Sequence, residues 1–162
     1  MRSKSLMLAA AVLGLLHSFW LSNQADIPNL AIKFDFQGNP VCWMSIQTVG
    51  LMSFAVYLLL TGIFLLIGAL IRKFPAMMSL PEKSFWLNAE NQSTTLSYVE
   101  SWMYFQGTLI LLFFVASWQA ILEANRRTSV SLPVWFWAVF GGYLLVTVWS
   151  SLNYYRKFSK KA

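Results

Sequence analysis

The chain has 162 residues, of which 57% are hydrophobic and only 11% charged, with 12 Lys and Arg against 6 Asp and Glu. A soluble domain carries roughly 25% charged residues, so this composition excludes an ordinary water-exposed enzyme and points to an integral membrane protein. Aromatic residues make up 17% of the chain, which suits helix ends at lipid headgroups, where Trp and Tyr meet both oil and water.

Four apolar runs are long enough to test against the roughly 20 helical residues that cross about 30 Å of hydrocarbon. The first, Ser5 to Leu21, follows Arg2 and Lys4 and reads either as a retained helix or as a secretory signal. A cleavage site ending at Ala25 would put Asn23 where a small residue is needed and bulky Phe19, Trp20 and Leu21 nearby, so the retained helix is the reading adopted. His17 is the one ionisable candidate inside a run, and at about 1.5 Å per residue it lies only some 6 Å from the outer end. That position suits a helix contact better than a proton relay.

The segment 22–47 follows. Ile32, Phe34 and Phe36 alternate with Lys33 and Asp35, and Gln37, Gly38, Asn39 and Pro40 supply turn chemistry before Val41 and Trp43. Period two followed by Gly and Asn predicts a small hairpin. Its apolar face either shields the tops of the helices or presents a docking surface.

Thr48 to Ile71 is free of formal charge and ends at Arg72, Lys73, Phe74 and Pro75, so it predicts a second spanning helix. The connection 72–101 contains Pro81 as a break, an aromatic anchor at Phe85, Trp86 and Leu87, and Asn88 as the cap of a helix running through Glu90 and Tyr98 into the third span. That anchor is read either as interfacial or as a partner-binding patch. The third span covers 102–122, and the fourth covers 133–152, ending before Tyr154, Tyr155, Arg156 and Lys157. Gln106 and Gln119, with Thr61, Thr108 and Thr147, read as interhelical hydrogen-bond partners. Ala10, Gly14 and Ser18, then Ala116 and Ala120, then Ala138 and Gly142, read as small-residue packing stripes at four-residue spacing.

The distribution of Lys and Arg sets the threading. Arg2, Lys4, Arg72, Lys73, Lys83, Arg156, Lys157, Lys160 and Lys161 fall on one side and Lys33, Arg126 and Arg127 on the other, nine against three. Positive residues favour cytoplasmic loops, so both termini are expected in the cytoplasm, with the hairpin outside. Arg126 and Arg127 are the weak point of that threading. The predicted fold is an all-α integral membrane four-helix bundle with a small extracytoplasmic β-hairpin-like loop, in a single domain.

The stretch Phe34 to Ser45 (Phe-Asp-Phe-Gln-Gly-Asn-Pro-Val-Cys-Trp-Met-Ser), between the first and second helices, resembles the bacterial membrane family catalogued as domain of unknown function 1648. That family shows His-Phe-Asp/Asn-x-x-Gly-x-Pro-Asp-x-Trp/Tyr-Gly-Ser-Lys at this place. Phe34, Asp35, Gly38, Pro40, Trp43 and Ser45 match; Lys33 stands for His, Val41 for Asp, Met44 for Gly and Ile46 for the basic region. Ser79 to Leu87 is similar to the Asn-Leu-Pro-Asn-Lys-Asp-Tyr-Trp-Leu stretch that members carry before their third helix. The family is mostly uncharacterised, and its domain also occurs in the immunity and signalling protein of the sporulation-delay toxin system. The resemblance therefore implies a sensing or immunity-like role for the outer loop, with Lys33, Asp35, Gly38, Asn39, Pro40 and Trp43 as its candidate residues.

No nucleophile with its base, paired carboxylates or phosphate-cradling glycine loop is legible in the sequence, and Cys42 as the only cysteine excludes an internal disulfide or a multi-thiolate site. A non-enzymatic protein without cofactor or metal is expected. Its partners are the lipid bilayer and another membrane protein or a peptide ligand, with no nucleic acid, because the positive charge forms no basic stripe. An accessory subunit of a larger complex is the alternative, and a small transporter the third reading.

Overall fold

Ser45 caps the helix that carries the longest uncharged run: its Oγ accepts the Thr48 N–H at 3.2 Å, satisfying a first-turn donor. In the computed structural model, which describes residues 2–35, 40–127 and 131–159, this helix is α2 (Ile46–Lys73). It stops where Pro75 begins a 3-10 turn, Pro75–Met77, and Arg72 and Lys73 in its last turn complement the negative end of the helix dipole. Helix α1 (Arg2–Ser22) precedes it, joined through strands β1 (Asn29–Phe34) and β2 (Pro40–Ser45). A one-turn helix α3 (Lys83–Trp86), then α4 (Gln92–Arg126) and α5 (Val134–Ser159), complete the described chain. Helices α1, α2, α4 and α5 are each long and apolar enough to cross a membrane.

Helix α4 starts two residues beyond Glu90, later than the cap expected at Asn88. Asn88 instead accepts the Asn91 N–H on its Oδ1 at 2.8 Å, so its short side chain closes a turn outside the helix, and the turn uses up residues 88–91. From Gln92 onward α4 runs for 35 residues, about 52 Å at 1.5 Å per residue, so the last part of the expected connection 72–101 is already helix.

Helices α1, α2 and α4 pack on one another around Met7, Ala10, Ala11, Tyr57, Met103, Tyr104 and Leu111. Gly14 lies against the ring of the wholly buried Tyr57, and a Cβ there would stand 2.5 Å from Cδ1 and Cε1. The stripe Ala10, Gly14, Ser18 is thus an internal contact, as its spacing predicts.

Helix α5 departs from an even four-helix arrangement. It packs chiefly on α4, and among its described residues only Ser150 and Phe158 are buried. Ala138 and Gly142 face outward, and a Cβ on Gly142 would meet nothing within 4 Å, so this stripe packs on nothing inside the chain. The contact is made by large rings instead: Phe113 stacks on Tyr143 at 4.6 Å and Trp102 meets Tyr154 at 4.4 Å. Rings of that size keep two helix backbones apart, where small residues would let them close. Gln106 adds the expected interhelical hydrogen bond, its Nε2 donating to Ser150 Oγ at 2.5 Å. Thr61 and Thr108 do not cross to a neighbour. Each hydroxyl donates to the carbonyl four residues back on its own helix, Tyr57 and Tyr104 respectively, which is the nearest acceptor a helical Thr meets.

Candidate functional site at the hairpin end

The hairpin sits on the ends of α1, α2 and α4. Leu30 is buried with Leu21, Ile46, Val49 and Leu122, and Ile27, Ile32, Met44 and Trp118 pack around that cluster. A two-stranded sheet is marginal alone, so this apolar seat is what lets β1 and β2 form. Leu30 and Ile32 therefore serve the shielding role expected of one hairpin face.

Asn125, near the end of α4, fixes the outer edge of β1. The Ala31 N–H donates to Asn125 Oδ1 at 2.7 Å, and Asn125 Nδ2 donates to the Ala31 carbonyl at 3.1 Å and to the Ile121 carbonyl at 2.8 Å. One carboxamide thus pairs with a strand residue as a neighbouring strand would. Beside it Arg126 reaches back to the α1–β1 connection, its Nη2 donating to Gln24 Oε1 at 2.7 Å and Asp26 Oδ2 at 3.0 Å. Arg127 pairs with Glu123, which also accepts the Trp135 Nε1–H at 2.8 Å. The two arginines that strain the threading are therefore matched locally by Asp26 and Glu123.

The register defines what the other strand exposes. Asn29 opposes Ser45, Leu30 opposes Met44 and Ala31 opposes Trp43, with Ile46 N–H donating to the Pro28 carbonyl at 3.0 Å. Antiparallel pairs alternate between bonded and non-bonded, so counting from the Pro28–Ile46 bond makes Ala31–Trp43 a non-bonded pair. The peptide groups of Ala31 point to Asn125, and those of Trp43 point the opposite way, to the free edge of β2. Among the described residues no strand pairs with that edge. Val41 and Trp43 are each 54% exposed.

Lys33 is exposed and paired with Cys42, and Pro40 is half-buried opposite Phe34, after a register shift. Asp35 is half-buried and follows the end of β1, while Gly38 and Asn39 lie outside the described residues. Lys33, Pro40 and Trp43 thus share one small hairpin, and Phe85, Trp86 and Leu87 lie at the opposite end of the helices. There Trp86 Nε1 donates to the Phe158 carbonyl at 3.2 Å and its ring meets Phe158 edge-on at 5.1 Å. Trp86 and Leu87 pack on the Leu80, Val99 and Phe158 cluster, tying the connection to the end of α5. His17 Nε2 lies 3.4 Å from Gln119 Oε1, a contact between α1 and α4. Asn125 was not distinguishable in the sequence, because its partner lies 94 residues away.

At the base of the hairpin a polar crevice of about 460 Å³ is lined by Ser22, Asn23, Gln24, Pro28, Ser45 and Gln47, among others. Among the described residues no group of three His, Cys, Asp or Glu side chains comes together as a metal-binding set. No family model, curated protein or solved structure matches the chain.

Proposed function

We propose that the chain is a multi-pass protein of the bacterial cytoplasmic membrane, both termini in the cytoplasm, that binds an extended peptide segment of an exported or membrane partner along the free edge of β2 without catalysing a reaction. The membrane reading is supported by four long apolar helices whose outward sides are greasy: Leu59 is 63%, Leu145 74% and Trp149 65% exposed. Side chains of that kind over the whole length of a bundle need lipid rather than water around them. The observation that carries the binding reading is the asymmetry of the hairpin. Asn125 occupies the edge of β1, whereas the edge of β2 offers the peptide groups of Trp43 beside an exposed indole. Strand addition to such an edge takes affinity from main-chain hydrogen bonds and selectivity from alternate side chains.

Two measurements test the reading. Cys42 is exposed and is the only thiol in the chain, so a membrane-impermeant maleimide should label it in intact spheroplasts. Labelling that needs lysis overturns the outward hairpin. A photo-crosslinking side chain at Val41 should then give a discrete adduct in cells that is lost in Trp43→Pro, which removes the edge N–H. An adduct indifferent to that change at normal abundance would sink strand addition.

The accessory-subunit reading rests on a different observation, the apolar outer side of α5 and its attachment chiefly through α4. It predicts a stoichiometric membrane partner after gentle detergent extraction, crosslinked from Val148 and not from Val41.

A further inference from the structure

At the end opposite the hairpin a cleft of about 600 Å³ opens between the start of α1, the last turns of α2 and the first part of α4. Leu65, Gly68, Ala69 and Arg72 line it from one face of α2, while Ser97, Glu100, Ser101 and Tyr104 line it from one face of α4. The spacing is that of a single helical face on each side. Gly68 is what admits the Tyr104 hydroxyl between the helices, since a Cβ there would collide with Oη.

The charges in this cleft are arranged, not merely present. Arg72 donates from Nε and Nη2 to the same oxygen, Glu100 Oε2, at 3.0 and 2.5 Å. The carboxylate, with its side chain only 13% exposed, therefore fixes the plane of the guanidinium. Nη1 is left without an acceptor among the described residues. Lys4, across the cleft on α1, has no acidic partner among the described residues. Ser3 and Ser101 are joined through their hydroxyls at 2.6 Å, and Ser97 is exposed one turn earlier on α4. Two cations against one carboxylate leave a single net positive charge, with a guanidinium edge, an ammonium and serine hydroxyls directed at one volume.

We propose that this cleft binds a phosphodiester monoanion, supplied by the headgroup of an anionic phospholipid. A phosphodiester carries one negative charge at neutral pH and accepts several hydrogen bonds, which matches the net charge and donors of the cleft. The lipid source follows from position and so rests on the membrane-spanning reading: Arg72 stands where the uncharged run of α2 ends, and Leu65 and Ala69 form the apolar side below it. Basic pockets between helices at the cytoplasmic face are the form that headgroup recognition takes.

The test uses the full chain. Alkaline carbonate extraction of membranes comes first, and release of the protein overturns the spanning reading on which the lipid source depends. With retained protein purified in an uncharged detergent, native mass spectrometry measures retention of added phosphatidylglycerol against phosphatidylcholine. One phosphatidylglycerol per chain is expected, with roughly tenfold weaker retention in Lys4→Gln and Arg72→Gln, the loss of one charge-assisted hydrogen bond. Lys73→Gln, which removes an ammonium lying over the Phe74 ring, should retain lipid as the parent does. Because Arg72→Gln also frees Glu100, exposed Lys4 is the deciding position. Wild-type retention in Lys4→Gln, or equal loss in Lys73→Gln, overturns the cleft as the site. Displacement by millimolar inorganic phosphate overturns the lipid source in favour of a soluble phosphate.

Discussion

Gly14→Val is expected to destabilise the protein by about 3 kcal/mol, the upper end of what forced overpacking costs. The first added carbon would stand 2.5 Å from two ring atoms of Tyr57, and that ring is wholly buried between α1, α2 and α4. It has no open space to move into, so the α1–α2 contact must separate. Thermal unfolding in detergent reads the effect directly. Gly62→Val is the matched control, because a Cβ at Gly62 meets nothing within 4 Å, and its melting temperature should stay close to that of the parent. Equal melting temperatures for both variants would show that α1 does not lean on Tyr57. Recovery of stability on adding Tyr57→Ala to Gly14→Val would assign the loss to that ring.

Asn125→Leu is expected to cost about 2 kcal/mol and to act on the hairpin more than on the helices. Leucine fills similar space but leaves the Ala31 N–H and carbonyl without partners, and an unsatisfied buried group costs roughly 1–3 kcal/mol. Hydrogen exchange over Asn29–Phe34 should accelerate at least tenfold while the amides around Tyr57 keep their protection. Asn125→Asp separates the two halves of the clamp, keeping the acceptor for the Ala31 N–H and losing the donor to its carbonyl. Unchanged exchange in Asn125→Leu would mean that the apolar seat at Leu30 holds the hairpin unaided. If strand addition at β2 is the mode of binding, the same substitution should weaken the crosslink from Val41, because a loose β1 no longer presents a fixed partner edge.

The helices were legible because apolar runs without charge are a long-range compositional signal, and the observed Ile46–Lys73 helix extends the run 48–71 by two residues at each end. The hairpin was legible from the alternation around Lys33 and the turn chemistry before Val41. What escaped sequence reading depends on which group lies nearest in space. Thr61 and Thr108 look like interhelical partners in a list of polar residues, yet each is satisfied by a carbonyl on its own helix. Ala138 and Gly142 have the same spacing as Ala10 and Gly14 and the opposite exposure, since spacing says nothing about whether a neighbour is present. Trp86 and Leu87, read as interfacial or partner-binding, are engaged with Phe158 from the far end of the chain. Of the hairpin residues singled out, Lys33 and Trp43 are surface residues, and Asn125, which orients the strand they depend on, gives no local signal at all.

The attachment of α5 also bears on the order in which the chain is assembled. As synthesis proceeds from the N-terminal side, α1 and α2 can close through Gly14 and Tyr57 while α4 is still being translated, and α4 then completes the seam by bringing Gly107 against the Met7 sulfur. Helix α5 follows that seam in the chain and docks on it through ring contacts and the Gln106–Ser150 bond. A stalled or truncated product ending before Val134 would therefore keep the seam of α1, α2 and α4, lose Phe158 from its cluster with Leu80 and Val99, and leave Trp102 and Phe113 uncovered as the mark by which such an unfinished copy differs from a mature one.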